Sequence, residues 1–279
     1  MIPPARRADL PFERVVLILG MPRSGTSWLS QIVDSSPEVR FRLAPIFSYA
    51  FKNAVHEGSS RAEWEALFRG AYHSDDPFMS QAVNRAAGRY PVFDQKAPQP
   101  QVLAIKETRF HNFITRTLDL FPDLKIAAIV RHPCGAIHSW LSTPKEFPPG
   151  ADPLSEWRTG RCRKTTPEEF WGFEDWKSVT RQHLALERSR PERVRIVHYE
   201  TLVEEAAGTT RALFDFLGLP FAAPTERFLR DSQERHVEDS HAVFKHKRVK
   251  DRWRTDLHPS IRDAILGEIE GTDLERFLS

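Results

Sequence analysis

The chain has 279 residues, with 40 lysines and arginines against 38 aspartates and glutamates, and 40% of its residues are apolar. This composition is typical of a globular protein and argues against intrinsic disorder. The net charge of +2 is too small to indicate binding to nucleic acid or to an anionic membrane. Any site for an anion must therefore be a local cluster of groups.

The longest apolar runs, Val15 to Leu19 and Ile126 to Val130, are far shorter than the roughly 20 residues that a membrane helix needs. The N-terminus carries no apolar signal segment, and two cysteines, Cys134 and Cys162, cannot form a disulfide framework. We therefore expect no membrane partner and a reducing, cytoplasmic location.

Four short runs rich in β-branched residues have the length of buried strands. Helical patterns separate them, with apolar residues spaced i, i+1, i+4, i+5 from Trp28 and from Ala136. This alternation predicts an α/β fold, in which helices flank a central parallel sheet and ligands bind beyond the carboxyl ends of the strands. The predicted strands are Val15 to Leu19, Val102 to Ile105, Ile126 to Val130 and Val194 to Val197.

Two irregular segments interrupt the alternation, and they mix aromatic, charged and proline residues. They have the character of excursions from the sheet that cover a pocket. Because no repeat or flexible linker appears, we predict a single domain over residues 1–279. Its predicted parts are core elements at about 12–42 and 102–220, excursions at about 44–101 and 143–176, and a basic segment at 245–254.

A glycine-containing turn, GMPRSGTSW at residues 20–28, joins the first predicted strand to a helix. Backbone N–H groups and hydroxyls in such a turn, together with the helix dipole, form a site for a phosphate-like anion. Gly20 and Gly25 have the spacing of a Walker loop, but Thr26 stands where that loop has its lysine, and the loop cation is Arg23. A nucleoside triphosphatase needs that lysine and a metal ion, so this loop is poorly suited to ATP hydrolysis.

Residues 22–28 resemble the 5′-phosphosulfate loop, P-[KR]-S-G-T-[ST]-[WL], of the sulfotransferases that use 3′-phosphoadenosine 5′-phosphosulfate (PAPS). A second motif of that family is an arginine at a strand end with a serine eight residues later, and Arg131 and Ser139 match it. A third, Y-E-x-L, is similar to Tyr199 to Leu202. The three motifs occur in the family's order, which implies the sulfotransferase version of the P-loop-like architecture.

The resemblance also implies which residues bind PAPS. Arg131 and Ser139 would bind the 3′-phosphate, and the planar donor fork of an arginine suits that group. Tyr199 would contact the adenine, and Trp28 would stack on it. The basic segment ends at residues 251–254 in a variant of the family's G-x-W-[RK] element that lacks the glycine. The remaining predicted contacts are Arg23, Ser24, Gly25, Thr26 and Ser27 in the loop, and Lys247 and Arg248 in the basic segment.

Arg23 occupies the position of the family's catalytic lysine or arginine, which implies that it binds the bridging oxygen during in-line transfer. We predict no metal ion, because positioning and the loop cation can stabilise the charge.

The general base departs from the family pattern. Thr108 stands where the cytosolic branch has its histidine, and Leu43 or Ala44 stands where the protein-tyrosine and carbohydrate branches have a glutamate. Glu107 is our first predicted substitute, because it is one residue from the first of these positions at the mouth of the sheet, and His111 is the next. An ion pair of Glu107 with Arg109, Lys106 or Arg23 is the alternative. Further candidates for the base are His56, His73 and Asp75.

The resemblance implies sulfuryl transfer from PAPS to a hydroxyl of a small-molecule or carbohydrate acceptor. Two alternatives remain open at this point. A P-loop small-molecule kinase would need Mg²⁺ and the absent Walker lysine, whereas a non-catalytic nucleotide-binding protein would explain the missing base. Neither the acceptor nor the oligomeric state can be predicted from these patterns.

Overall fold

The computed structural model describes residues 10–235, 237, 239, 242–244 and 251–279. Its centre is a five-stranded sheet in the order β2-β3-β1-β4-β5, in which every pairing is parallel. The predicted α/β class with a central parallel sheet is confirmed. The strands are β1 Arg14–Leu19, β2 Val39–Leu43, β3 Val102–Glu107, β4 Lys125–Val130 and β5 Val194–His198.

Helices connect the strands and cover both faces of the sheet. The two helical patterns seen in the sequence lie in the first and fifth helices. The α-helices in the described part of the chain are α1 Thr26–Asp34, α2 Arg61–His73, α3 Ala82–Ala86, α4 Ile114–Leu120, α5 Pro133–Leu141, α6 Pro153–Glu156, α7 Gly172–Ser189, α8 Tyr199–Glu204, α9 Ala206–Leu217, α10 Ala223–Glu234, α11 Trp253–Asp256 and α12 Pro259–Ile269.

Strand β2 is the element that the sequence analysis missed. Its sequence, VRFRL, places two arginines among three apolar residues, so it does not have the apolar run of a buried strand. Arg42 donates hydrogen bonds to the carbonyls of Ala71, Tyr72 and Ser74, at the C-terminal end of α2. Since the last carbonyls of a helix lack intrahelical partners, the arginine ties this edge strand to α2.

Successive residues of a strand point to opposite faces of the sheet, and both faces are buried here. Val15, Leu17 and Leu19 pack in a core with α2, α4, α5, α7 and α12. Val16 and Ile18 pack in a second core with α1, α8, α9 and α10. The turn after β1 therefore lies near the middle of the sheet's carboxyl edge, between β3 and β4.

Both predicted excursions contain helices of their own, α2 and α3 in the first and α6 in the second. They extend past the carboxyl edge of the sheet and supply residues to the cavity described below. Among the residues that the structure describes, no helix has the length and apolar character to cross a bilayer.

Candidate active site

A cavity of about 500 Å³ lies at the carboxyl edge of the sheet. Residues at or just beyond the carboxyl end of each of the five strands line it, which is where an open parallel sheet binds ligands. These strand-end residues are Leu43 and Ala44 after β2, Lys106 and Thr108 at β3, Pro22 and Arg23 after β1, Arg131 after β4 and Tyr199 after β5.

The glycine loop forms the floor of this cavity through Gly25, Thr26 and Ser27. Gly25 has φ 92°, and a Cβ on it would lie 2.5 Å from the Tyr199 ring, so no larger residue fits there. Helix α1 follows directly and has no side-chain cap at its N-terminus. The backbone N–H groups of its first turn are therefore available to an anion.

Arg23 connects the loop to the second motif. Its own backbone is left-handed, with φ 67°, a conformation that L residues rarely adopt. Its Nε donates to Ser139 Oγ at 3.2 Å, and its Nη1 lies 3.5 Å from Glu146 Oε1. Arg131 Nη1 donates to the Arg23 carbonyl at 3.1 Å. Arg23, Arg131 and Ser139 therefore form one connected cluster of donors.

Arg131 is buried, with 6% of its surface exposed, and its Cζ lies 4.7 Å from the centre of the Tyr199 ring. Its Nε is shielded from solvent and has no hydrogen-bond partner among the described residues. Gly135, one turn into α5, leaves room for this side chain, because a Cβ there would lie 2.9 Å from the Nε. The arrangement leaves one donor of Arg131 buried beside α5 without a partner among the described residues, and such a donor is stabilised by an anionic acceptor.

The backbone around Arg131 is held from three directions. Trp176 Nε1 donates to the Arg131 carbonyl at 3.1 Å, and Glu200 Oε1 accepts the His132 N–H at 3.1 Å. The Trp253 ring stacks on His132 with 4.2 Å between ring centroids. Glu200 and Trp253, both part of quoted motifs, thus position the arginine rather than line the cavity.

An aromatic arm of the cavity extends away from the loop on the α1 side. Trp28 Nε1 donates to Ser232 Oγ at 3.0 Å, and the Trp28 and Tyr199 rings meet edge to face with centroids 6.4 Å apart. Val203 and Gln233 also line this arm, and the Gln233 amide donates to the Val203 carbonyl. A flat heterocycle would find ring surfaces and polar edges here.

Lys106 is a functional candidate that the sequence reasoning missed. It lines the cavity, and its Nζ donates to Ser27 Oγ at 3.0 Å. Burial lowers the pKa of Lys106 to about 8. One signal could have identified Lys106, namely its position at the end of β3 on the face opposite to Glu107.

Glu107 does not line this cavity. Its carboxylate Oε1 accepts the backbone N–H groups of Thr108 and Arg109, at 2.9 and 3.0 Å, and so shapes the turn after β3. The side chain points instead into a separate apolar cavity of about 40 Å³. Burial raises the pKa of Glu107 to about 7.

His111 is also absent from the cavity wall. It is buried against Phe170 and His183, with ring centroids 4.9 and 5.5 Å away. Burial lowers the pKa of His111 well below its usual value and that of His183 to about 4. Both rings therefore have the character of neutral core side chains.

Other predicted residues lie away from the cavity. Ser24 belongs to the loop but is buried and does not line the cavity, and its backbone N–H donates to the Met21 carbonyl. The further base candidates His56, His73 and Asp75 are exposed and are not among the lining residues. Lys247 and Arg248 fall outside the described residues. Within the described ranges no group of three or more metal-ligating side chains was found.

Glu146, at the start of the second excursion, is the one acidic side chain that the described residues contribute to the cavity wall. Its backbone is fixed by a hydrogen bond from its N–H to the Thr143 carbonyl and by Trp140 Nε1, which donates to its carbonyl. No sequence motif marked this residue.

Three sulfotransferase structures share the fold. Mouse sulfotransferase SULT7A1, solved with PAP, superposes with a TM-score of 0.58 at 16% identity over 96% of this chain and 89% of its own. The sulfotransferase domain of the curacin biosynthetic pathway gives 0.54 at 17% identity, covering 92% and 97%. The domain from the Synechococcus PCC 7002 olefin synthase gives 0.54 at 17%, covering 91% and 92%. At these identities the likeness shows the fold alone.

A search of curated protein sequences returned no match. A family model described as "Sulfotransferase family" matches residues 15–223, which include all three motifs and most of the sheet. The chain therefore belongs to the sulfotransferase family, and its reaction is the transfer of a sulfuryl group.

Proposed function

We propose that this chain transfers the sulfuryl group of PAPS to a hydroxyl of a small-molecule or carbohydrate acceptor. One observation carries the proposal: the loop, the Arg131 and Ser139 pair, and Tyr199 come from distant parts of the chain and line one cavity. A cytoplasmic location stays a prediction.

The donor set fits the nucleotide. Three cations, Arg23, Lys106 and Arg131, line the central part of the cavity and suit a ligand with several anionic groups. Arg131, whose Nε has no partner among the described residues, lines the cavity together with Ser139, and we assign both to the 3′-phosphate. Trp28 and Tyr199 suit the adenine. We assign Thr26, Ser27 and the N–H groups of the first turn of α1 to the phosphosulfate.

PAPS, when bound, supplies the sulfuryl group and a leaving group that gains negative charge. Arg23 stabilises that charge as it develops, and its hydrogen bond to Ser139 Oγ holds the guanidinium near the loop. Lys106, whose Nζ donates to Ser27 Oγ, provides a second cation at the loop. Both residues act on charge that is larger in the transition state than in the ground state.

For the general base we propose Glu146 in preference to Glu107 and His111. Glu146 lines the cavity and lies within 3.5 Å of Arg23, whereas the other two side chains lie outside the cavity wall. An anionic nucleotide competes with Glu146 for Arg23. A carboxylate released from that pair can accept the proton of the acceptor hydroxyl.

Calorimetric titration with 3′-phosphoadenosine 5′-phosphate (PAP), ADP and ATP, each with and without Mg²⁺, tests the nucleotide assignment. We expect PAP to bind tightly without metal, and more tightly than ADP. A kinase would instead bind ATP with Mg²⁺, which the loop disfavours because Thr26 stands in place of the Walker lysine. Release of PAP from PAPS, measured with a panel of hydroxyl acceptors, tests the transfer itself. Mg²⁺-dependent ATP binding with no preference for PAP would overturn the proposal.

A further inference from the structure

The cavity wall carries more cationic side chains than the proposed nucleotide site uses. The described residues contribute five cations and one carboxylate, Glu146, to this wall. Three of the cations belong to the proposed PAPS site. The two that remain are Arg109 and Arg163, which lie on the turn after β3 and in the second excursion.

Arg109 has its charge balanced within the protein. Its Nε donates to Glu169 Oε1 at 3.2 Å, and Glu169 is buried. The other oxygen of Glu169 accepts hydrogen bonds from the backbone N–H and the hydroxyl of Thr165. Glu169 therefore ties the excursion that carries Arg163 to the turn that carries Arg109, so the two cations flank the same part of the cavity.

Arg163 has no such partner. Its guanidinium makes no hydrogen bond or ion pair with any residue that the structure describes, and its Nε is shielded from solvent. Its Cζ lies 5.5 Å from the centre of the Trp171 ring, which also lines the cavity. The side chain as a whole is half-buried, and Nε is the donor that is shielded without a partner. An anionic ligand would pair with the guanidinium and offset the cost of that buried donor.

Apolar rings surround this part of the cavity. Phe47 and Phe78 have 48% and 40% of their surface exposed, and their ring centroids are 6.2 Å apart. The Arg109 Cζ lies 3.9 Å from the Phe47 centroid. Exposed rings beside Arg109, in the cavity that Arg163 also lines, suit a ligand with an apolar body and one anionic group.

We propose that the acceptor carries an anionic group, a carboxylate or an ester of phosphate or sulfate, that pairs with Arg163 while its apolar body packs on Phe47 and Phe78. This inference rests on the proposed function, because it assigns the acceptor side of the same cavity. Arg163 is then a specificity-determining residue.

The test uses matched acceptors, 3-(4-hydroxyphenyl)propionate and its neutral amide, at saturating PAPS. We expect wild-type kcat/KM to favour the carboxylate by about tenfold to a hundredfold, the range for a charge-assisted hydrogen bond. Arg163→Gln should lower the carboxylate to the level of the amide. Arg161→Gln is the matched control, because Arg161 is exposed and is not among the lining residues; it should keep the wild-type preference.

Equal kcat/KM for the two acceptors in the wild type, or an unchanged preference in Arg163→Gln, overturns the inference. Where neither compound is turned over, their binding to the enzyme saturated with PAP replaces the kinetic readout. Equal binding of the two probes, or binding of neither, also overturns it. A loss of PAP affinity in Arg163→Gln would assign Arg163 to the nucleotide instead. Failure of the wild type to bind PAP would contradict the proposed function itself. PAP binding therefore distinguishes failure of the proposed function from failure of this inference.

Discussion

Substituting Gly135 by alanine should displace the Arg131 guanidinium while leaving helix α5 intact. The new Cβ would lie 2.9 Å from Arg131 Nε, whereas an ordinary contact is about 3.5 Å or more, so the guanidinium must shift by about half an ångström. Gly135 is helical, and alanine is favoured over glycine inside a helix by about 0.5–1 kcal/mol. The fold should therefore be retained or slightly stabilised.

A charge-assisted hydrogen bond to a phosphate contributes about 1.5–3 kcal/mol, and each 1.4 kcal/mol is about tenfold in affinity. If Arg131 binds the 3′-phosphate, Gly135→Ala should weaken PAP by about tenfold and leave AMP, which lacks that phosphate, within about twofold. Calorimetry with both nucleotides measures the ratio, and thermal unfolding confirms the fold.

Gly267→Ala is the matched control, because Gly267 is exposed in helix α12 and a Cβ there would meet nothing within 4 Å. It should leave both affinities unchanged. The double variant Gly135→Ala with Arg131→Ala should be no weaker than Arg131→Ala alone, since both act through one guanidinium. The reasoning would be refuted if the ratio of PAP to AMP affinity in Gly135→Ala stayed at the wild-type value, whether both affinities were unchanged or both fell equally.

Four further variants test the site. Arg131→Ala should weaken PAP about tenfold to a hundredfold and AMP little, by calorimetry; equal losses would remove its 3′-phosphate role. Arg23→Ala should lower kcat more than it raises the Kd for PAP, and normal turnover at saturating PAPS would contradict this. Glu146→Gln should lower kcat by about 10²–10⁴ without weakening PAP, since the nucleotide then has no carboxylate to displace from Arg23. Glu107→Gln, if Glu107 only shapes its turn, should retain more than a tenth of kcat, and the reverse order would restore Glu107 as the base. Because burial raises the folded pKa of Glu107 to about 7, its proton stabilises the fold at low pH and that contribution is lost as the pH rises through 7. From pH 5 to 8 the wild type should lose about 2–3 kcal/mol of unfolding free energy relative to Glu107→Gln in urea titrations, and parallel profiles would contradict the pKa shift.

The sequence by itself determined the parallel sheet and most of the proposed nucleotide site. A strand, a glycine turn and a helix are contiguous in the chain, so their apolar pattern and their loop residues can be recognised locally. Arg131 and Tyr199 each follow a predicted strand, and parallel strands bring their carboxyl ends to one edge. Those residues could therefore be grouped before any coordinates were known.

The tertiary structure alone decided which strand-end side chains reach the cavity. Lys106 and Glu107 are neighbours, yet only Lys106 lines it, because adjacent residues of a strand point to opposite faces. Both faces of β3 are buried, so its apolar pattern carries no mark of which face meets the loop. Strand β2 was hidden for a related reason, since its arginines satisfy the end of α2 rather than face water.

The acceptor side depended on the fold most of all. Glu146 and Arg163 belong to an excursion without periodicity, and neither its prolines nor its charges specify a direction. Packing of Trp140 against Trp171 and the pairing of Glu169 with Arg109 bring this excursion over the sheet edge. Such contacts join residues far apart in the chain, and no local pattern encodes them.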